Sequence, residues 1–153
     1  MRKLAKQSLV AAAMAATCGV ALADNDANRC STQALEGLYV FSASGFIIVP
    51  GGAPAQPKAI VEWIRFNGDG TLSSSGATRS LNGVIAEVPP SDGVGSSYSV
   101  ANLEPPGTAC KGTLVFLNGP SFDLFIPPKG EDIWMIQTNT NNVFQGTASK
   151  VSR

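Results

Sequence analysis

The sequence predicts an all-β chain, an eight-stranded antiparallel up-and-down barrel, with a two-sheet β-sandwich as the alternative. Three observations carry this expectation. Eight short runs rich in β-branched and aromatic residues are separated by clusters of Gly, Pro, Asn and Asp. After residue 37 no stretch has the period of an amphipathic helix, so the long crossover that a parallel pair requires is missing and neighbouring runs must pair antiparallel. Eight antiparallel strands expose costly edges unless they close, and eight is the number at which a small barrel closes.

In chain order the first element is not part of the fold. Three cations in "MRKLAKQ" precede the uncharged "SLVAAAMAATCGVALA", which ends in small residues before Asp24. A basic region, a short apolar region and a small-residue end are the three parts of a cleavable signal peptide, placed at residues 1–23. A membrane anchor is the alternative, but the uncharged stretch from Gln7 to Ala23 has only 17 residues, seven of them alanine, against the ~20 strongly apolar residues of a stable span. Cys18 lacks the large aliphatic residue expected three positions before a lipidated cysteine. The chain is therefore expected to be exported, to the periplasm or the medium, with no membrane span in the mature protein.

Cleavage would remove Cys18 and leave Cys30 and Cys110. Two thiols in one small exported domain are expected to be bonded, and a Cys30–Cys110 bridge would enclose 79 residues. Residues 24–36, "DNDANRCSTQALE", read as an N-terminal arm or a single helical turn pinned by Cys30, ahead of a barrel domain over 37–153.

The strand-like runs are "GLYVFSASGF" (37–46), "KAIVEWIRF" (58–66), "TLSSSGATRSL" (71–81), "GSSYSVAN" (95–102), "CKGTLVFL" (110–117), "SFDLFIP" (121–127), "EDIWMIQT" (131–138) and "NVFQGTASK" (142–150). The prolines and glycines of "IIVPGGAPAQP" make a loop or frayed edge between the first two. "NGDG" marks a tight hairpin between the second and third, its glycines supplying positive φ.

Composition narrows the function classes. The mature chain carries 8 Lys and Arg against 11 Asp and Glu, a net charge of −3, so no basic surface is available to neutralise phosphates and nucleic acid is not an expected partner. The chain has no histidine, which removes the Ser-His-Asp arrangement, the Cys-His nucleophile and most zinc sites; no metal or other cofactor is expected. "NGDGT" lacks the downstream acidic ligand of an EF-hand and reads as a turn, and "GGAP" lacks the helix and lysine of a phosphate loop.

The spaced pattern "LEGLYVFSASG", "FNGDGTLSSSGATRSLNG", "YSV" before "CKGTLVF", "DIWMIQT" and "VFQGTASK" resembles small exported bacterial barrels of the calycin and allene-oxide-cyclase-like fold, mostly uncharacterised. The resemblance spans nearly all of residues 35–150 and rests mainly on turn glycines and apolar strand positions. It implies a barrel with a lumen suited to a small molecule, as in lipocalins or a cyclase of a fatty-acid epoxide. No catalytic motif of that cyclase is matched residue by residue.

Within "AIVEWIRF" one face carries Ile60, Glu62, Ile64 and Phe66 and the other Val61, Trp63 and Arg65. Either Glu62 or Arg65 must point inward, where an unpaired charge is expensive and a perturbed pKa marks a functional group; a charge near the rim would instead be solvated or paired. Glu62 is the better acid-base candidate. Trp63, Phe116, Phe125 and Trp134, beside Glu62 and Arg65, are the candidate ligand contacts, and Phe46, Phe66, Tyr98 and Phe122 complete the aromatic set that either lines a pocket or fills a core. Three functions follow in order. The first is binding of a small apolar ligand in the lumen, the second a structural or protein-interaction module with a filled core, and the third an isomerase or cyclase acting on a lipid-like substrate. The residues select no oligomeric state.

Overall fold

The computed structural model describes residues 30–103, 109–128 and 130–152; the expected signal peptide, Cys18 and residues 24–29 of the arm lie outside them. Within that range a 3-10 turn at Thr32–Leu35 precedes nine strands: β1 (Gly37–Ile47), β2 (Gln56–Phe66), β3 (Leu72–Leu81), β4 (Val84–Val88), β5 (Ser97–Asn102), β6 (Cys110–Val115), β7 (Ser121–Ile126), β8 (Asp132–Gln137) and β9 (Asn142–Ser152). They form one antiparallel sheet in the order β4-β3-β2-β1-β9-β8-β7-β6-β5. Among the described residues no helix is long and apolar enough to cross a membrane.

The all-β class and antiparallel pairing agree with the sequence reading, but the closed eight-stranded barrel does not form. Nine strands in a sheet whose neighbours are all antiparallel leave the two edges, β4 and β5, running in the same direction. An antiparallel ladder cannot join them. Both instead lie along β3: β4 pairs with Ala77–Leu81, while residues beyond β4 are paired with the start of β3 by no continuous ladder but by the isolated bridges Ser74–Ser91 and Thr71–Ser97. The intervening "PPSDGVGS" breaks the ladder, since Pro89 and Pro90 have no N–H to donate.

The strand absent from the sequence reading is β4, which follows a two-residue turn of Asn82 (φ 49°) and Gly83 (φ 82°) closing the Leu81–Val84 pair. Two successive positive φ angles are what a tight hairpin turn of this kind needs. The expected "NGDG" turn also forms, as a wider loop: the Asn67 N–H donates to the Thr71 carbonyl at 3.0 Å, and Asp69 accepts from the Thr71 N–H at 2.8 Å.

One face of the sheet is buried by alternation. Tyr39, Phe41 and Ala43 of β1, Ile64 and Phe66 of β2, Leu114 of β6, Phe122, Leu124 and Ile126 of β7, Ile133 and Met135 of β8, and Phe144 and Ala148 of β9 all point inward. The sheet curls until strands far apart in its order meet across this face. Phe66 of β2 packs edge-on against both Tyr39, at 5.1 Å between ring centroids, and Tyr98 of edge strand β5, at 4.8 Å. Phe41 of β1 reaches Phe122 of β7 at 5.6 Å.

One end of the curled sheet is plugged. Ser31 caps the 3-10 turn by accepting from the Ala34 N–H at 3.3 Å, and the turn drives Leu35 to full burial. The Tyr98 hydroxyl ties that turn to the β2–β3 loop, donating to the Thr32 carbonyl at 2.8 Å and accepting from the Gly68 N–H at 3.0 Å. The expected Cys30–Cys110 disulfide is formed, with 5.4 Å between its Cα atoms, and fastens the turn to the start of β6.

Candidate functional site

Away from the plug, the inner face is not filled by its own side chains. A cavity of about 650 Å³ lies between β1, β2, β3, β9 and the β6–β7 hairpin, bounded on one side by the break between β4 and β5. Its apolar wall includes Phe41, Ile47, Ile60, Leu81, Phe116, Phe122 and Phe144, and its rim reaches solvent through Arg79, Val94, Leu117 and Asn139, all exposed. The volume arises from small residues. Where the plugged end has Tyr39, Phe66 and Tyr98, the break side of the cavity presents Ser74, Ser91 and Ser96.

Glu62 is the inward charge of β2, paired across the sheet with Phe41, and is 9 % exposed. Burial pushes its carboxyl above the ordinary value, and a hydrogen bond with Ser74 opposes this only in part. Lys58 lies on the same face four residues earlier, roughly 13 Å along the strand. Its Nζ donates to Gln137 Oε1 at 2.7 Å and Asn142 Oδ1 at 2.9 Å and sits 4.0 Å from the centroid of the Phe144 ring. Burial lowers its pKa. Ile60 separates the two charged groups along β2 and also lines the cavity.

The remaining sequence candidates divide cleanly. Phe116 lines the cavity, whereas Trp63, Arg65, Phe125 and Trp134 occupy alternate positions that face outward. Trp63, Phe125 and Trp134 are 45 %, 43 % and 56 % exposed, and Phe125 and Trp134 are direct cross-strand partners on the outer face. The structure thus brings together Glu62 and Phe116 from that set and sends the other four to the opposite face. Of the wider aromatic set, Phe122 lines the cavity, Phe66 and Tyr98 fill the plugged end, and Phe46 is exposed. Sequence reasoning missed Lys58, although period-2 alternation back from Glu62 through Ile60 reaches it directly. Gln137 and Asn142 carried no local signal, because only the lateral strand order β2-β1-β9-β8 and the curl of the sheet bring them to Lys58.

Chemically, the site is an apolar pocket with one buried acid and one amide-held cation. Among the described residues no group of three His, Cys, Asp or Glu side chains could hold a metal ion, and no buried side-chain polar atom lacks a hydrogen-bond partner.

The raised pKa of Glu62 makes a signed prediction. Its neutral form is favoured by folding, so its contribution to stability is full below the unfolded value near 4.5 and is lost as pH rises through the higher folded value. Glu62→Gln is therefore expected to gain stability relative to the native chain as pH rises from 4 to 8, measured as the difference in urea midpoint. A difference that stays flat with pH would refute the buried-acid assignment.

No family model, no curated protein and no solved structure matches the chain.

Proposed function

We propose that this chain is an exported, non-catalytic binding protein that holds a small, largely apolar molecule inside its curled sheet. The observation that carries the reading is the cavity of about 650 Å³, within the roughly 300–1,000 Å³ typical of small-molecule sites. A module working only through its outer surface gains nothing from leaving that volume unfilled, whereas packing it would contribute to stability. The Cys30–Cys110 bond supports an oxidising, exported location. The calycin-like resemblance of the sequence belongs to the same reading.

Glu62 is the one feature that favours an enzyme, since a buried acid facing a cavity suits proton transfer. Binding is the stronger reading because Lys58, the other ionisable group on that stretch of β2, is held by Gln137 and Asn142, and Ile60 stands between it and Glu62 on the cavity wall.

The test uses N-phenyl-1-naphthylamine, a neutral apolar dye whose emission rises on leaving water. The full chain is expected to bind it at micromolar or better affinity. Leu81→Trp, which fills the cavity, is expected to weaken binding at least tenfold, and Trp134→Gln on the outer face is expected to leave it unchanged. Binding that survives Leu81→Trp and fails with Trp134→Gln would move the site to the outer face and end the proposal. The native tryptophans both face outward, so their intrinsic emission is a poor reporter of the cavity.

A further inference from the structure

Among the described residues the cavity presents a cation without a counter-charge. Lys58 is held by two neutral amide oxygens, of Gln137 and Asn142, which fix its direction and leave its charge uncompensated. Two of its three N–H donors are engaged, while the flank of the ammonium rests on the Phe144 ring. The sole carboxylate lining the cavity among the described residues is Glu62, four residues along the strand behind Ile60. Arg79, cross-strand from Ile60, adds a second cation at the exposed rim. A partly buried ammonium pinned by amides beside an apolar chamber is arranged to receive an anion, which would accept the third N–H and supply the missing charge.

We propose that the ligand is an amphiphile with a single anionic group, a carboxylate or sulfonate, seated on the Lys58 ammonium with its apolar body against Ile60, Phe116 and Phe144. This rests on the reading of the cavity as a ligand site. The polarity of the pocket fixes the orientation: the head sits at the Lys58 and Arg79 side, and the body extends toward Phe41 and Phe122. Burial favours the neutral form of Glu62, which lessens the repulsion an anionic guest meets at the inner end. In that neutral form its carboxyl can donate to a carbonyl, ether or hydroxyl oxygen carried by the body away from the head.

Two dyes that share one ring system separate this proposal from the one beneath it. 1-Anilinonaphthalene-8-sulfonate is N-phenyl-1-naphthylamine with a sulfonate added. Lys58→Met keeps the apolar stem and deletes the charge, and a charge-assisted hydrogen bond of ordinary strength corresponds to about 10–100-fold in affinity. The sulfonate dye is expected to weaken by that factor in Lys58→Met, with the neutral dye changed less than threefold, and Lys58→Arg is expected to restore most of the loss. If the sulfonate dye binds Lys58→Met as it binds the native chain while the neutral dye still occupies the cavity, the anion assignment is overturned and the binding reading survives. If neither dye binds the native chain, the binding reading fails first.

A measurement on the native chain covers the case in which the variants do not fold. Decanoate and decan-1-ol compete against the neutral dye, and the carboxylate is expected to compete at least tenfold better. Equal competition, or better competition by the alcohol, overturns the proposal.

Discussion

Removing the Cys30–Cys110 bond, by the double change Cys30→Ala and Cys110→Ala, is expected to lower stability by roughly 4–5 kcal/mol. The two residues are 80 positions apart, and in the chain-entropy account a cross-link over a loop of that length restricts the unfolded ensemble by about 4.5 kcal/mol. A domain of this size has a net stability of only about 5–15 kcal/mol, so the loss is a large fraction of the whole. Native-state consequences add to it. Cys30 anchors the 3-10 turn that buries Leu35, and the Thr32 carbonyl in that turn accepts the Tyr98 hydroxyl. Cys110 begins β6, the partner of edge strand β5. Freed sulfurs would therefore loosen the plug and the weakest edge together. Thermal melts of the double variant, and of the native chain with and without reductant, are expected to fall by on the order of 10–20 °C. Coincident melts of oxidised and reduced protein would show that the bond contributes nothing.

Cysteine arithmetic made this feature legible because it depends on count and compartment alone. Strand faces were legible to the extent that polarity alternates locally. In "SFDLFIP" Ser121, Asp123 and Phe125 share one face and Phe122, Leu124 and Ile126 the other, so the polar company of Phe125 already marks it as outward. In "DIWMIQ" no such contrast exists: Ile133 and Met135 go inward, Trp134 and Ile136 outward, and size gives no guide. Only the pairing of β8 with β7 and β9 decides it. The missing strand was written in the chain as Asn82-Gly83 ahead of the apolar "VIAEV", a stronger hairpin signal than the "NGDG" loop, but the Pro89-Pro90 pair that follows shortens β4 to five residues and disguises it. What no local pattern could reveal is the cavity. It exists because Ser74, Ser91 and Ser96 on one side meet Phe41, Phe116 and Phe144 on others, and that is a property of the curl and not of any single run.

The break between β4 and β5 is the wall of the cavity most sensitive to a single atom, and Gly93→Ala is expected to open it. Gly93 has φ +74°, which costs an L-residue about 1–2 kcal/mol, and a Cβ built there would overlap the backbone carbonyl of Leu72 and lie 2.7 Å from its carbonyl carbon and 3.0 Å from Ser73 Cα. These are backbone atoms of β3 and cannot swing away as a side-chain tip would. Segment 89–96 must instead retreat from β3, and with it go the paired hydrogen bonds between Ser74 and Ser91, of 3.0 and 2.8 Å, that hold the segment across the gap. Crowding of this kind costs a further 1–3 kcal/mol, for a total of about 2–5 kcal/mol. Gly83→Ala isolates the backbone contribution: its φ of +82° is nearly the same, but nothing lies within 4 Å of the added Cβ, so about 1–2 kcal/mol is expected there. Urea unfolding of the two variants should therefore differ by more than 1 kcal/mol. Gly93→Ala should in addition weaken neutral-dye binding severalfold, because Ser91 and Val94 on the displaced segment line the cavity, while Gly83→Ala should bind as the native chain does. Equal losses in the two variants, with dye affinity intact in both, would mean that the broken edge is not a wall of the site.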